Sequence, residues 1–303
     1  MKKTSLFIIL ILSTASFAQT EADSINQIVD SLFILATTKN INYQDQVQPA
    51  KEALGEMRET AVPRLVEKMD TQDARSMHAL VAIFKLIGRS AVPYIVDALD
   101  EKDPFKRRLA ARALGDMKDS TAVDGLLNFT GDPDYRIRAG TVVALGKIGD
   151  PRGINAAMNA LNDDDYLVRL NAATALSMFA DPATIDILIN ALSDSYYGVR
   201  YKAAHALGNI GEQSVAPIKS ALSSSESKTA FYLVIEIAGN LKDKKLIKPL
   251  SEILKSDDPL ARAFVVEALD KFESNKAKKT LRKLQDKETH PFVVGKLAGI
   301  KSE

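Results

Sequence analysis

One stretch in the middle of the chain is written twice. From Asp132 it reads DPDYRIRAGTVVALGKIGDPRGINAAMNALND, and from Asp163 DDDYLVRLNAATALSMFADPATIDILINALSD. Tyr135 and Tyr166, Arg138 and Arg169, Leu145 and Leu176, Asp150 and Asp181, Asn159 and Asn190, and Leu161 and Leu192 are each 31 residues apart. A fixed period of this size marks stacked supersecondary units, none of which can bury its apolar face alone. The 303 residues therefore count units more than domains.

An anchor position runs Leu54, Ile83, Leu114, Leu145, Leu176, Leu207, Ala238, Leu269 and Ile300, spaced by 29 residues once and by 31 thereafter. A second apolar series follows three residues later: Met57, Leu86, Met117, Ile148, Phe179, Ile210, Leu241 and Phe272. In the first half of each unit apolar residues recur at helical spacing, as in Ala172, Ala173, Leu176 and Phe179, which describes one buried helix face. Asp150-Pro151 and Asp181-Pro182 then place an N-cap before a proline, the signal for a second helix. Ile154, Met158 and Leu161, like Ile185, Leu188 and Leu192, give that helix its own apolar stripe. The unit is helix, short turn, helix, and no alternating strand pattern occurs. Small residues at Ala110, Ala111, Ala172, Ala173, Ala203 and Ala204 allow neighbouring units to approach closely. Ahead of the units, Ser24–Thr38 reads as an amphipathic helix with Ser24 as its N-cap.

The run Val199-Arg200 followed by Ala203-Ala204-His205-Ala206-Leu207-Gly208 resembles the short HEAT-like repeats of the phycobilisome lyase type, and the resemblance covers about residues 45 to 303. It implies an all-α, right-handed α-solenoid of about eight helix-turn-helix repeats of 31 residues, in which the second helices line a concave surface. The expected organisation is a signal peptide at 1–18, an N-terminal capping helix at 19–44, the repeat solenoid at 45–287 and a C-terminal capping helix at 288–303. The first unit departs from the pattern with Val47 at the Arg position. A later, internal unit departs with Phe231 at the Arg position and Lys228 at the Tyr position.

The first residues, MKKTSLFIILILSTASFAQT, combine Lys2 and Lys3, an apolar run from Leu6 to Leu12 and small residues before a cut expected after Ala18. They read as a bacterial-type secretory signal, with an apolar core shorter than the ~20 residues a membrane span requires. The expected location is accordingly exported, periplasmic or secreted. There is no cysteine, so neither a disulfide nor a lipid-modified Cys enters the picture. Lys and Arg number 40 and Asp and Glu 39, a balance that gives no electrostatic reason to expect nucleic acid or an anionic membrane as partner.

Three polar series share the period. Arg107, Arg138, Arg169, Arg200 and Arg262 are matched against turn acids Asp119, Asp150, Asp181, Glu212 and Asp243, an expected structural ladder of guanidinium groups, carboxylates and turn carbonyls. Tyr135, Tyr166 and Tyr197 each precede an Arg by three residues, and are expected either to cover the end of the core or to form a recognition strip. Asp124 and Asn128, Asn155 and Asn159, and Asp186 and Asn190 form i, i+4 pairs on second helices, with Asp97 continuing the series backwards. The resemblance places these on the concave side, where amides that both donate and accept suit a bound partner better than ordinary surface Lys and Glu. A basic cluster, Lys276, Lys278, Lys279, Arg282, Lys283 and Lys287, lies on the last full unit and reads as a solvated helix face.

Catalytic patterns are missing. His78, His205 and His290 fall in different units, and the repeated His-Glu dipeptides of the hydroxylases in this repeat class do not occur. No metal site or cofactor is expected, since no His-x-x-x-His pair, thiol or phosphate-cradling loop is present. The clustered Asp163, Asp164 and Asp165 suit a helix start. The resulting expectation is an exported, non-catalytic scaffold that binds a protein or peptide. Its rivals are a lyase- or chaperone-like protein acting on a tetrapyrrole-carrying partner, suggested only by the resemblance, and a subunit of an envelope assembly.

Overall fold

The computed structural model describes residues 21–224 and 227–300; the signal sequence expected at 1–18 lies outside them. Every regular element among the described residues is helical. The chain divides into two compact units, Met1–Gly153 and Ile154–Glu303. The boundary falls within a sequence repeat, between its two helices.

The first unit holds α1 (Glu21–Thr37), α2 (Gln44–Glu56), α3 (Val62–Glu67), α4 (Ala74–Ile87), α5 (Val92–Asp97), α6 (Pro104–Met117), α7 (Val123–Leu127) and α8 (Tyr135–Ile148). In it α1 packs on α2, α2 on α4, α4 on α6 and α6 on α8. The second holds α9 (Ile154–Ala160), α10 (Tyr166–Phe179), α11 (Ile185–Ala191), α12 (Tyr197–Ile210), α13 (Val215–Ser224), α14 (Lys228–Leu241), α15 (Ile247–Ile253), α16 (Pro259–Asp270), α17 (Asn275–Gln285) and α18 (Pro291–Ala298). Here the first helices pack in the order α10, α12, α14, α16, α18, and the second helices in the order α11, α13, α15, α17. Each layer is thus built from neighbours in sequence, which is the all-α solenoid.

Local chemistry sets the helix ends. Asp73, Asp103, Asp134, Asp165 and Asp258 each cap a first helix through a side-chain carboxylate that accepts backbone N–H groups, satisfying donors a helix start leaves open. Five first helices end on a residue of positive φ at one register, Lys118, Gly149, Ala180, Gly211 and Lys242, with φ between 49 and 75°. The Asp-Pro pairs do not open the second α-helix directly as expected. Pro151–Gly153 and Pro182–Thr184 form 3-10 turns, and the α-helix begins after them. Ser24, the expected cap, lies inside α1.

The anchor positions form the core: Leu54, Ile83, Leu114, Leu145, Leu176, Leu207, Ala238 and Leu269 are all at most 1% exposed. The second apolar series is less uniform. Phe272 is buried, but Leu86 is 50% exposed and lies over Gly55, where an added Cβ would stand 2.7 Å from the Leu86 Cβ. Ile87, one residue on, turns inward instead. The stretch Ala74–Asp100 is apolar and long enough to cross a membrane by composition. Half of its most apolar part is buried in the protein, and Gly88, at φ 77°, breaks it into α4 and α5.

Candidate functional site

The second helices put their polar residues on the face opposite the core. In the first unit Asp97, Asp124 and Asn128 are exposed, while Val123 and Leu126 on the same α7 are buried. In the second unit Asn155 and Asn159 on α9, and Asp186 and Asn190 on α11, are exposed above buried Ala157, Ile185 and Leu188. Members of a pair stand one helical turn apart, ~6 Å along the axis. Asp124 is engaged, accepting from the Arg152 Nη1 at 2.8 Å. The side chains of Asn128, Asn155, Asn159 and Asn190 make no hydrogen bond among the described residues, so their donors and acceptors face solvent. A primary amide offers two N–H donors and a carbonyl, the complement of a peptide group.

The arginine series takes a different set of partners from the turn acids. Arg169 reaches Asp194 with Nε at 2.7 Å and Nη2 at 3.2 Å, and its Nη1 donates to the carbonyls of Asp163 and Asp164 at 2.8 and 2.9 Å. Arg200 donates to the Asp194 carbonyl at 2.7 Å and to that of Ser195 at 3.1 Å. Asp194 therefore takes one arginine on its carboxylate and the next on its main chain. In the first unit Asp132 does the same: its carboxylate pairs with Arg107 and its carbonyl accepts from Arg138 at 2.7 Å. Arg262 forks onto Glu288 at 2.8 and 2.9 Å. These loop acids open the following unit, so each fastens two consecutive units.

The turn acids are occupied locally. Asp119, Asp150, Asp181 and Asp243 each accept the backbone N–H two residues on, at 2.9, 3.0, 2.8 and 2.7 Å. Glu212 lies inside the 3-10 turn Gly211–Ser214. An acid at the start of a tight turn meets its own N–H groups before any group of a neighbouring unit. Asp119 and Asp150 also bind Arg89 and Arg152, neither of which belongs to the arginine series.

Electrostatics agree with this division. Burial raises the Asp194 carboxyl, yet the Arg169 guanidinium and the Tyr196 N–H outweigh it and hold the group below its ordinary value. Hydrogen bonds from Arg262 bring Glu288 from 4.5 down to about 2. Both pairs are largely shielded, with side-chain exposures of 14% and 11% for Arg169 and Asp194 and 14% and 6% for Arg262 and Glu288. Breaking such a pair from one side costs about 3–5 kcal/mol, a magnitude suited to a structural fastening.

The irregular units carry substitutes that the period does not reveal. Phe231 occupies the arginine position, and the next residue, Tyr232, donates its hydroxyl to Asp258 at 2.7 Å. Asp258 lies 26 residues further on, the offset that separates Arg262 from Glu288. The Tyr232 ring stacks on Phe264 at 5.1 Å between centroids. In the first repeat, where Val47 replaces the arginine, Arg64 on α3 forks onto Asp30 of α1 at 2.9 and 2.7 Å, joined by Lys68. Arg64 thereby lowers the Asp30 carboxyl to about 2.

The tyrosines divide. Tyr135 is half-buried against Arg136. Tyr166 and Tyr197 are 47% and 64% exposed; Tyr166 meets Tyr196 at 4.3 Å between centroids, and Tyr197 stacks on Tyr201 at 6.2 Å. On α17, Ala277 and Leu281 are buried, and Lys276, Lys278, Lys279, Arg282 and Lys283, with Lys287 after the helix, are exposed. His78 bonds the Ala74 carbonyl and His205 the Ser177 hydroxyl. No group of three or more His, Asp and Glu among the described residues could hold a metal ion.

A family model described as HEAT repeats matches residues 92–166, 154–228 and 215–298. No curated protein matches. Among solved structures, the Escherichia coli protein YibA is similar at 19% identity and a TM-score of 0.50, over 96% of this chain and 100% of that one. The complex of CpcE and CpcF of phycocyanin lyase from Nostoc gives 20% identity and a TM-score of 0.42, over 69% of this chain and 94% of that one. Human deoxyhypusine hydroxylase in complex with glycerol gives 19% and 0.33, over 91% and 96%. At these identities the likeness is one of fold.

Proposed function

Because the chain belongs to the HEAT-repeat family, we propose that it is a non-catalytic scaffold that takes an extended polypeptide along the exposed side of its second helices. The observation that carries this reading is the set of exposed side-chain amides, Asn155 and Asn159 one turn apart on α9 and Asn190 on α11, unengaged among the described residues. A packed core has no use for them there, and a surface needing only solubility is served by Lys and Glu. A peptide lying across the helices would exchange hydrogen bonds with these amides in register, one pair of asparagines or aspartates per unit. Buried fastenings between units hold the rows still, which limits the ordering cost of binding. The scaffold works outside the cytoplasm, a reading supported by Lys2, Lys3 and the apolar run Leu6–Leu12.

The test is site-specific photocrosslinking in cells. A photoreactive residue at Asn159 or Asn190 should capture a protein in the exported fraction that the same residue at Ser177, on a first helix, does not. Asn159→Arg with Asn190→Arg should abolish that capture from a probe at Asn155 while leaving the melting temperature nearly unchanged. Equal capture from Ser177, or capture that survives the double substitution, would refute the assignment.

A further inference from the structure

Within the second unit, the register positions that hold Asn155 and Asn159 on α9 and Asp186 and Asn190 on α11 hold Lys248 and Glu252 on α15 and Lys279 and Lys283 on α17. Asn155, Asp186, Lys248 and Lys279 fall at multiples of the period, as do Asn159, Asn190, Glu252 and Lys283, and all are exposed. Between the two groups, α13 offers half-buried Pro217 and buried Ala221. α13 packs on α11 and α15, and α15 packs on α17, so amide and ammonium belong to one layer. Around Lys248 stand exposed Lys244 and Lys245, and beside Lys279 stands exposed Lys276. Asp243, Asp257 and Asp258 flank α15, Glu273 and Asp286 flank α17, and Glu252 lies on α15, fewer acids than the lysines of the same stretches. Glu252 pairs with Lys255 at 2.5 Å and is also held down by Lys248. The other layer carries exposed Glu267 and Asp270 on α16.

We infer that α15 and α17 receive an acidic, Asp- or Glu-rich segment of the polypeptide that lies along the amide row; this inference rests on the scaffold reading. Charge complementarity names the partner class, and the residue types narrow it. Ammonium groups on flexible stems act as point charges that carboxylates can meet in many geometries, whereas nucleic acids draw on guanidinium forks and stacking aromatics. The exposed residues of α17 are all polar, so this face has no apolar wedge to set into a bilayer. Continuity with the amides points to one chain running over both, its backbone read at one end and its carboxylates at the other.

The experiment titrates the full chain against a fluorescent oligoglutamate by anisotropy. Saturable binding is expected, weakening on the order of tenfold between about 50 and 200 mM salt as screening increases. Lys248→Glu, Lys279→Glu and Lys283→Glu together should weaken it at least ~10-fold, the order expected when attraction becomes repulsion. The milder Lys→Gln triple should fall between, with folding of each variant followed by circular dichroism. Undiminished binding by both lysine triples, or tighter binding of phosphatidylglycerol vesicles or duplex DNA to this face, overturns the inference. The amide row is judged separately by its own crosslinks.

Discussion

At the scale of single residues, Thr141 is the position where the core and its chemistry disagree. It is fully buried, and its hydroxyl has no partner among the described residues; the equivalent places one period away are Ala110 and Ala172. Leaving a buried hydroxyl unsatisfied costs about 1–3 kcal/mol, and valine keeps the shape without the oxygen. Thr141→Val should raise the unfolding free energy by about 1 kcal/mol in urea titration. An unchanged or lower value would mean that the hydroxyl is satisfied. At this scale the sequence was legible in part. Periodicity says which residues are equivalent, and the anchors from Leu54 to Leu269 are buried as it implies. It does not say which residues touch: the arginines and turn acids recur together, yet Asp132 and Asp194 recur too and are the ones engaged. Tyr232 could not be read from the pattern because it works by breaking it.

At the scale of elements, the glycine that follows the anchor position has opposite meanings at different sites. A Cβ on Gly239 would stand 2.7 Å from the Ala268 Cα, so α14 and α16 approach backbone to backbone there. A Cβ on Gly208 would meet nothing within 4 Å. Alanine gains about 0.8–1.0 kcal/mol over glycine inside a helix. At Gly208 that gain is unopposed, whereas at Gly239 it is opposed by a contact that only moving a helix can relieve. Gly208→Ala should therefore stabilise by up to about 1 kcal/mol, and Gly239→Ala should destabilise by about 1–3 kcal/mol, both by chemical denaturation. Matching signs at the two sites would contradict the packing described. Element order and type were legible because apolar spacing and Asp caps agree. Element boundaries were less so, since the Asp-Pro pairs open 3-10 turns whose short-range bonding resembles a helix start in sequence.

At the scale of the whole molecule, stability is tied to pH through the fastening acids. Glu288 has its pKa depressed from 4.5 to about 2. A depressed carboxyl contributes fully above its unfolded pKa and loses that contribution as pH falls through the folded value. Stability should decline between about pH 4.5 and 2, with Asp30, also lowered to about 2, adding to the fall. Glu288→Gln should cost on the order of 3 kcal/mol at neutral pH and flatten this acid limb, measured by denaturant titration at several pH values; an acid limb of unchanged slope would show that the Arg262 pair is not its source. The solenoid class was legible from the 31-residue period alone, but the boundary at Gly153 was not, since the repeat text continues across it unaltered. The fastening acids also bear on how such a chain can lengthen. Because the carboxylate that holds one unit is encoded at the start of its successor, duplication of a DNA segment one period long copies a guanidinium together with an acid for its neighbour. Recombination at most other lengths would strand one of the two, so insertions of whole periods are the ones that carry the fastening with them.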